Sequence, residues 1–205
     1  MISATEALER LQKGNERFVS GEREIKDLTN RERRGEVVDQ QEPFAIILGC
    51  SDARVPSEIV FDQGLGDLFV IRVAGNIVAP SQIGSIEFAA EQFGTRLVIV
   101  MGHSNCGAIT ATLHELEQPN ESRSPNLASI VDRIRPAIEP LTKNAENLDR
   151  SSLLLEATRA NIHASVSQLR DGSSILKNLI QKDRLQILGA EYSIETGKVK
   201  FLQEA

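Results

Sequence analysis

Four short apolar runs recur along the chain: Phe44–Gly49, Leu68–Val73, Leu97–Met101 and Leu185–Leu188. Each is continuous rather than alternating, the pattern of strands buried on both faces of a parallel sheet. Elsewhere the apolar residues fall at helical spacing. Residues 3–19 read as an amphipathic helix, with Ser3 and Glu6 as a capping box and Ala7, Leu8, Leu11 and Phe18 near one stripe. Residues 20–42 are charged and weakly periodic, helix plus loop. Ser81–Phe93, stopped by Gly94, and Cys106–Glu117 read as helices after the second and third runs. A polar loop over 118–125 precedes three more helical stretches, Asn126–Ile138, Ser152–Leu169 and Ser173–Lys182. The ending, Gly189–Leu202, reads as two strands turned at Glu195-Thr-Gly197, an antiparallel edge hairpin. Alternating strands and helices predict an α/β fold with a mostly parallel central β-sheet, an antiparallel edge hairpin and flanking helices. No repeat or Pro/Gly-rich linker divides the 205 residues, so a single domain over 1–205 is expected.

Composition narrows the function classes. Lys and Arg total 23 against 29 Asp and Glu, a net of −6. That is opposite to the basic balance of a domain that neutralises nucleic-acid phosphates. The densest basic cluster, Arg31, Arg33 and Arg34, is interleaved with Glu32 and Glu36 and reads as a solvated helix face. Nucleic acid is therefore not an expected partner. The N-terminal residues lack an apolar secretory core, and no apolar run approaches the roughly 20 residues of a membrane span. A cytoplasmic protein with reduced thiols and no membrane partner is the expectation. Two cysteines in a chain of this length exclude a disulfide framework.

Both cysteines follow predicted strands. Cys50 opens Cys-Ser-Asp-Ala-Arg54 directly after Phe44–Gly49, and Cys106 closes His103-Ser-Asn-Cys106 after Leu97–Met101. In an open parallel sheet, ligands bind beyond the carboxyl ends of the strands. Cys50, Asp52, Arg54, His103 and Cys106 therefore converge if the two strands are neighbours. Two thiolates and an imidazole suit Zn²⁺, and three protein ligands leave a fourth position for water or for a carboxylate such as Asp52. The backbone N–H of Gly107, at a predicted helix N-terminus, adds an anion-binding donor. Other chemistries fit less well. Cys-x₃-Arg is too short for the phosphate loop of thiol phosphatases, and there is no Cys-x-x-Cys redox pair. Gly64-Leu-Gly66 lacks the third glycine of a dinucleotide fingerprint, since position 69 is Phe. His114 and His163 lack ligand-spaced partners and read as structural.

At these residues the chain resembles the β-class carbonic anhydrases. The likeness extends to Glu6-Ala-Leu and Gly14-Asn-Glu-Arg-Phe18, to Phe69-Val-Ile-Arg-Val-Ala-Gly-Asn76, to Ser85-Ile-Glu-Phe88 and to the Gly189–Leu202 ending. The resemblance implies reversible hydration of carbon dioxide to bicarbonate and a proton on one Zn²⁺ per subunit, by zinc-bound hydroxide. Cys50, His103 and Cys106 match the zinc ligands. Asp52 and Arg54 match the dyad that orients the water, with Asp52 reaching zinc only in a closed, inactive form. Gln41, Phe69 and Phe88 match the substrate pocket of the plant-like subtype, although the last is usually Tyr there. Arg72 and Tyr192 match the bicarbonate-inhibited subtype, but that subtype carries Trp where this chain has Ile47, and this chain has no Trp at all. Asp52 is therefore expected to stay with Arg54. Residues 1–40 match an N-terminal helical arm that reaches over a partner, which implies a homodimer or homotetramer. Close relatives that hydrolyse carbonyl sulfide or carbon disulfide, and a non-enzymatic zinc-binding regulator, are the alternatives. No proton shuttle stands out; His114 is a candidate.

Overall fold

The computed structural model of the chain describes residues 2–24, 28–118, 124–143 and 149–202. The strands are β1 (Ala45–Gly49), β2 (Leu68–Arg72), β3 (Leu97–His103), β4 (Gln186–Tyr192) and β5 (Val199–Leu202). They form one five-stranded sheet in the order β2-β1-β3-β4-β5. The first three neighbour pairs are parallel, and β4–β5 is antiparallel. The helices are α1 (Ala4–Ser20), α2 (Arg31–Glu36), α3 (Ser57–Val60), α4 (Pro80–Gln92), α5 (Gly107–Glu117), α6 (Pro125–Thr142), α7 (Arg150–Gly172) and α8 (Ser174–Gln181). A short 3₁₀ turn, Ala74–Asn76, follows β2. Of the polar loop expected over 118–125, residues 119–123 lie outside the described ones.

Period-two alternation along the central strands divides the interior into two cores. Ala45, Ile47, Leu97, Ile99 and Met101 face one layer with Leu11 of α1, Ile109 and Leu113 of α5 and Ile134 and Ile138 of α6. Ile46, Leu48, Val98 and Val100 face the other with Ile86 of α4, Ile162, Val166 and Leu169 of α7 and Leu176 of α8. Every residue of β1 and β3 is buried, as a strand covered on both faces must be.

Two details differ from the sequence expectation. The run Leu185–Leu188 and the first arm of the expected hairpin are one strand, β4. Gly189 does not interrupt it, because the missing side chain is what lets α7 lie close. A Cβ at Gly189 would stand 2.7 Å from Cγ2 of Ile162, and one at Gly102 would stand 2.7 Å from its Cδ1. Helix α6 continues past Ile138 although Pro136 and Pro140 lie inside it. The two prolines are exposed one turn apart, while Val131, Ile134 and Ile138 form the buried stripe.

Helix α1 occurs where the pattern places it. It is capped as expected, with Ser3 Oγ accepting from Glu6 N and the Glu6 carboxylate accepting from Ser3 N. One face of it packs on this chain's own core. Ala7 and Leu11 are fully buried in this chain's own core. Asn15 donates to the carbonyls of Val60 (3.0 Å) and Gly197 (2.8 Å) and accepts from Val199 N (2.8 Å). Buried backbone groups of the β4–β5 turn thus find their partners in α1. A Cβ at Gly14 would lie 1.8 Å from the carbonyl oxygen of Phe61. Helix propensity alone has Gly14→Ala stabilising by about 1 kcal/mol. The close backbone contact reverses the sign: the substitution is expected to destabilise by about 2 kcal/mol or more, read as a lower urea midpoint. An unchanged or raised midpoint would show that α1 does not dock in this way.

Candidate metal centre

The sheet order reverses direction next to β1. The chain moves from β1 outward to β2, then returns to place β3 on the other side. Loops leaving β1 and β3 therefore open a crevice at their carboxyl ends, the usual ligand position in such sheets. The registers Gly49↔Met101 and Gly49↔Arg72 set the ends of the three strands level. Cys50 follows β1, His103 ends β3, and Cys106 is the N-cap of α5. Their ligand atoms lie within 4.8 Å of one another, and all three residues are buried.

The hydrogen bonds orient these donors. His103 Nδ1 lies 2.9 Å from the carbonyl oxygen of Ser104, so this nitrogen carries the proton and donates it. Nε2 is then the lone-pair nitrogen, and it is buried with no hydrogen-bond partner. An orphaned imidazole nitrogen facing two sulfurs, with its other nitrogen tied to a carbonyl, is the arrangement of a metal-bound histidine. The residues thus fit a Cys₂His site for a cation such as Zn²⁺. Gly75 N donates to Cys50 Sγ at 3.3 Å. Gly75 has φ +69°, and Asn161 of α7 donates to its carbonyl at 2.8 Å. The Cys106 thiol, donating to the Cys50 sulfur, is the main reason that the first thiolate forms below the usual thiol range; burial opposes it. The same contact, with burial, pushes the loss of the second proton up.

Arg54 grips Asp52 with two parallel bonds, Nε to Oδ1 at 2.9 Å and Nη2 to Oδ2 at 2.8 Å. The backbone N–H of Arg54 donates to Oδ1 as well, at 2.9 Å. These bonds from Arg54 hold the Asp52 carboxyl well below the usual carboxylate range, against some opposition from burial. Asp52 Oδ2 stands 3.9 Å from His103 Nε2, beside the ligand group and held toward Arg54. Arg72, at the end of β2, donates to the backbone carbonyls of Cys50 (Nε, 3.0 Å) and Asp52. From sequence, Arg72 reads as a subtype match or a structural ion pair; here it clamps the backbone that carries a sulfur donor and the carboxylate. A charged residue closing an otherwise apolar run was its signal. Gly75, Asn161 and Glu195 had no such signal, because each reaches the site only through a contact between segments brought near by folding.

Known proteins resemble this chain. The carbonic anhydrase family model matches residues 45–199. Carbonic anhydrase 2 of Mycobacterium tuberculosis is 35% identical over 190 residues, covering 92% of this chain and 87% of its own. The carbonic anhydrase of Mycolicibacterium smegmatis is 36% identical over 190 residues, covering 93% and 89%. The chain belongs to the β-class carbonic anhydrases. The fold agrees with one of the tetrameric β-carbonic anhydrases of Sordaria macrospora, at a TM-score of 0.76 and 22% identity, covering 85% of this chain and 88% of that one.

As a β-class carbonic anhydrase, the chain brings together only some of the expected site residues. Gly107 opens α5 directly after Cys106 and is exposed. His114 is exposed near the far end of α5, about 10 Å along the helix from Gly107 at 1.5 Å per residue. Gln41 precedes β1 and Cys50 follows it, so a whole strand separates them. Gln41 lines a cleft of about 730 Å³ with Arg10, Phe44, Gln92 and Phe93. Phe93 in turn contacts Phe69 and Phe88, at centroid distances of 6.1 and 5.6 Å. Phe69 packs toward the second core and Cys50 lies in the first. Phe88, 52% exposed, stands at the β2 edge of the sheet. Ile47, where the inhibited subtype carries Trp, is fully buried in the first core. No helix among the described residues is long and apolar enough to cross a membrane.

The shared thiol proton has a measurable consequence. In the metal-free chain, ultraviolet thiolate absorbance is expected to persist below the usual thiol range and to vanish on acidification. Cys106→Ala removes the donor and moves the Cys50 midpoint up. A midpoint that stays put in this variant would refute the thiol–thiolate contact.

Proposed function

We propose that this chain catalyses the reversible hydration of carbon dioxide to bicarbonate and a proton, using one Zn²⁺ held by Cys50 Sγ, His103 Nε2 and Cys106 Sγ. The observation that carries the reading is the orphaned, buried Nε2 of His103 beside two sulfurs, with the Asp52 carboxylate held toward Arg54. Three donors and a carboxylate held back leave a position for water, as catalytic zinc sites require. When bound, zinc supplies the acidity that makes water a nucleophile near neutral pH.

The chain's own residues do the rest. Asp52, ionised and pinned by Arg54, accepts a hydrogen bond from the attacking water and so orients its lone pair toward the carbon of CO₂. Because Arg54 holds both carboxylate oxygens, Asp52 stays an acceptor and does not compete with water for the fourth position. Gly107 N, at the start of α5, offers a donor to the bicarbonate oxygen. Arg72 and Gly75 keep the Cys50–Asp52 backbone and the Cys50 sulfur in register. Thiolate ligands donate more charge than neutral imidazoles, so kcat/KM rises on the alkaline side.

Gln41, Phe69 and Phe88 enter the proposal through a second copy. The cleft lined by Gln41 and the adjoining exposed Phe88 lie away from this chain's own donors. A homodimer or homotetramer that closes over the β2 edge lets them serve a neighbouring site. Free thiol ligands also suit the reducing cytoplasm.

Metal analysis with stopped-flow CO₂ hydration tests the reading. The wild type is expected to hold about one zinc per chain. Asp52→Asn is expected to keep that zinc and lose at least about 100-fold in kcat/KM, the usual scale for a positioned acid–base group. Zinc loss in Asp52→Asn, or activity within a few fold of wild type, would overturn the assigned role. Sulfide release from carbonyl sulfide, measured in parallel, separates the two hydration chemistries. A zinc-loaded structure near pH 7 is expected to keep Asp52 on Arg54; Asp52 bound to the metal would contradict the open form.

A further inference from the structure

His103 and Cys106 are separated by only two residues, and that spacer must turn sharply for both donors to meet at one point. Asn105 makes the turn with φ +54°, a left-handed conformation that L residues adopt reluctantly and Asn better than most. Both backbone carbonyls of the spacer serve the site. Ser104 O accepts from His103 Nδ1 at 2.9 Å, and Asn105 O accepts from Arg54 Nη2 at 3.2 Å. The imidazole and the guanidinium that orients Asp52 are thus both referenced to the same two peptide groups.

Both spacer side chains are held by one carboxylate from a distant part of the chain. Glu195 lies in the turn between β4 and β5. Ser104 Oγ donates to its Oε2 at 2.7 Å, and Asn105 Nδ2 donates to its Oε1 at 2.7 Å. Ser104 Oγ also accepts from Ile194 N at 3.0 Å. The parallel ladder supplies this proximity, since His103 is level with Tyr192 and Ser104 N donates to Tyr192 O at 2.9 Å. The hydroxyl of Ser104 is the main group holding the Glu195 carboxyl below its ordinary range, so it is the ionised, acceptor-only form that faces the spacer.

The β4–β5 turn does not need these bonds for its own shape. It closes through its backbone, with Ser193 N donating to Lys198 O at 2.9 Å and Gly197 N to Ser193 O at 2.9 Å. Gly197 takes the left-handed position, φ +74°. Glu195 is exposed and contributes no apolar burial. Its Oε2 also accepts from Ser193 Oγ of its own turn at 3.1 Å, but its two shortest bonds, one to each oxygen, come from the ligand-bearing loop.

We propose that Glu195 is a positioning residue of the metal centre: by gripping Ser104 and Asn105 it holds the spacer in the left-handed form that aims its carbonyls at His103 and Arg54. The inference rests on reading Cys50, His103 and Cys106 as metal ligands. It makes the β4–β5 turn a support of the metal site as well as a sheet edge.

The test compares wild type, E195A, E195Q, N105G and E195A/N105G, each loaded with Zn²⁺ or Co²⁺. Zinc release is followed with excess chelator and a chromophoric indicator, and the ligand field is followed in the visible spectrum of the cobalt form. Loss of a partner that orients a metal ligand typically costs 10–100-fold in metal affinity. E195A is expected to release zinc about tenfold faster and to shift the cobalt bands, with melting temperature little changed. E195Q keeps the side chain's size but has only one acceptor oxygen, so it falls between; it carries the comparison if E195A folds poorly. Glycine adopts positive φ without help, so E195A/N105G is expected to recover most of the wild-type retention. Such recovery would not follow if Glu195 acted only as a surface charge. Release from E195A within twofold of wild type, or no recovery in the double variant, would overturn the inference. A wild type that takes up neither metal would instead overturn the metal reading beneath it.

Discussion

The parallel pairing of β1 with β3 is the constraint on which the site depends. Cys50 and the His103–Cys106 pair lie about 50 residues apart in the chain, and no local interaction brings them together. Their meeting follows from Ile46–Gly49 lying level with Val98–Met101, so that both strands end at the same height. A slip of one residue would turn every side chain of a strand to the opposite face. The double burial of these strands prevents it, because Ile47 and Ile99 on one side and Leu48 and Val100 on the other are each matched to a different set of helices.

Around that meeting point the polar groups are nearly all accounted for. Arg72 takes the Cys50 and Asp52 carbonyls, Gly75 donates to the Cys50 sulfur, Ser104 holds the imidazole proton, and Arg54 spans Asp52 and Asn105. What is left over is one lone pair on His103 and the two buried sulfurs beside it. A buried nitrogen with nothing to bind is costly in a folded protein unless a ligand completes it. The remainder therefore says more about function than any bond that is made. The supporting bonds come from β2, the 3₁₀ turn, α7 and the β4–β5 turn, so elements far apart in the chain all bear on one cluster.

The docking of α1 shows what a local reading leaves open. Capping box and amphipathic stripe both occur where the pattern places them. The pattern does not say which surface the stripe covers. Gly14 and Asn15 decide it, the first by allowing backbone contact with Phe61 and the second by closing three backbone hydrogen bonds between α1, α3 and the β4–β5 turn. Gln41, Phe69 and Phe88 are the converse. They gather at one edge through Phe93, which the sequence had not singled out. Yet the strand between them and Cys50 keeps them out of this chain's own donor group.

Read alone, the sequence determined the α/β class, the positions of the strands and most helix boundaries, and it named the candidate ligand and dyad residues; it did not show that β2, an edge strand, is only half-buried. What it determined depends on local periodicity, on caps and on residue types whose chemistry is the same wherever they sit. Only the tertiary structure decided that β4 runs through Gly189, that α1 lies on its own sheet, and that Arg72, Gly75, Asn161 and Glu195 brace the site. Each of those outcomes depends on a close approach between segments distant in sequence. The atoms involved are mostly backbone carbonyls and amides, which every residue carries and which no sequence pattern can distinguish.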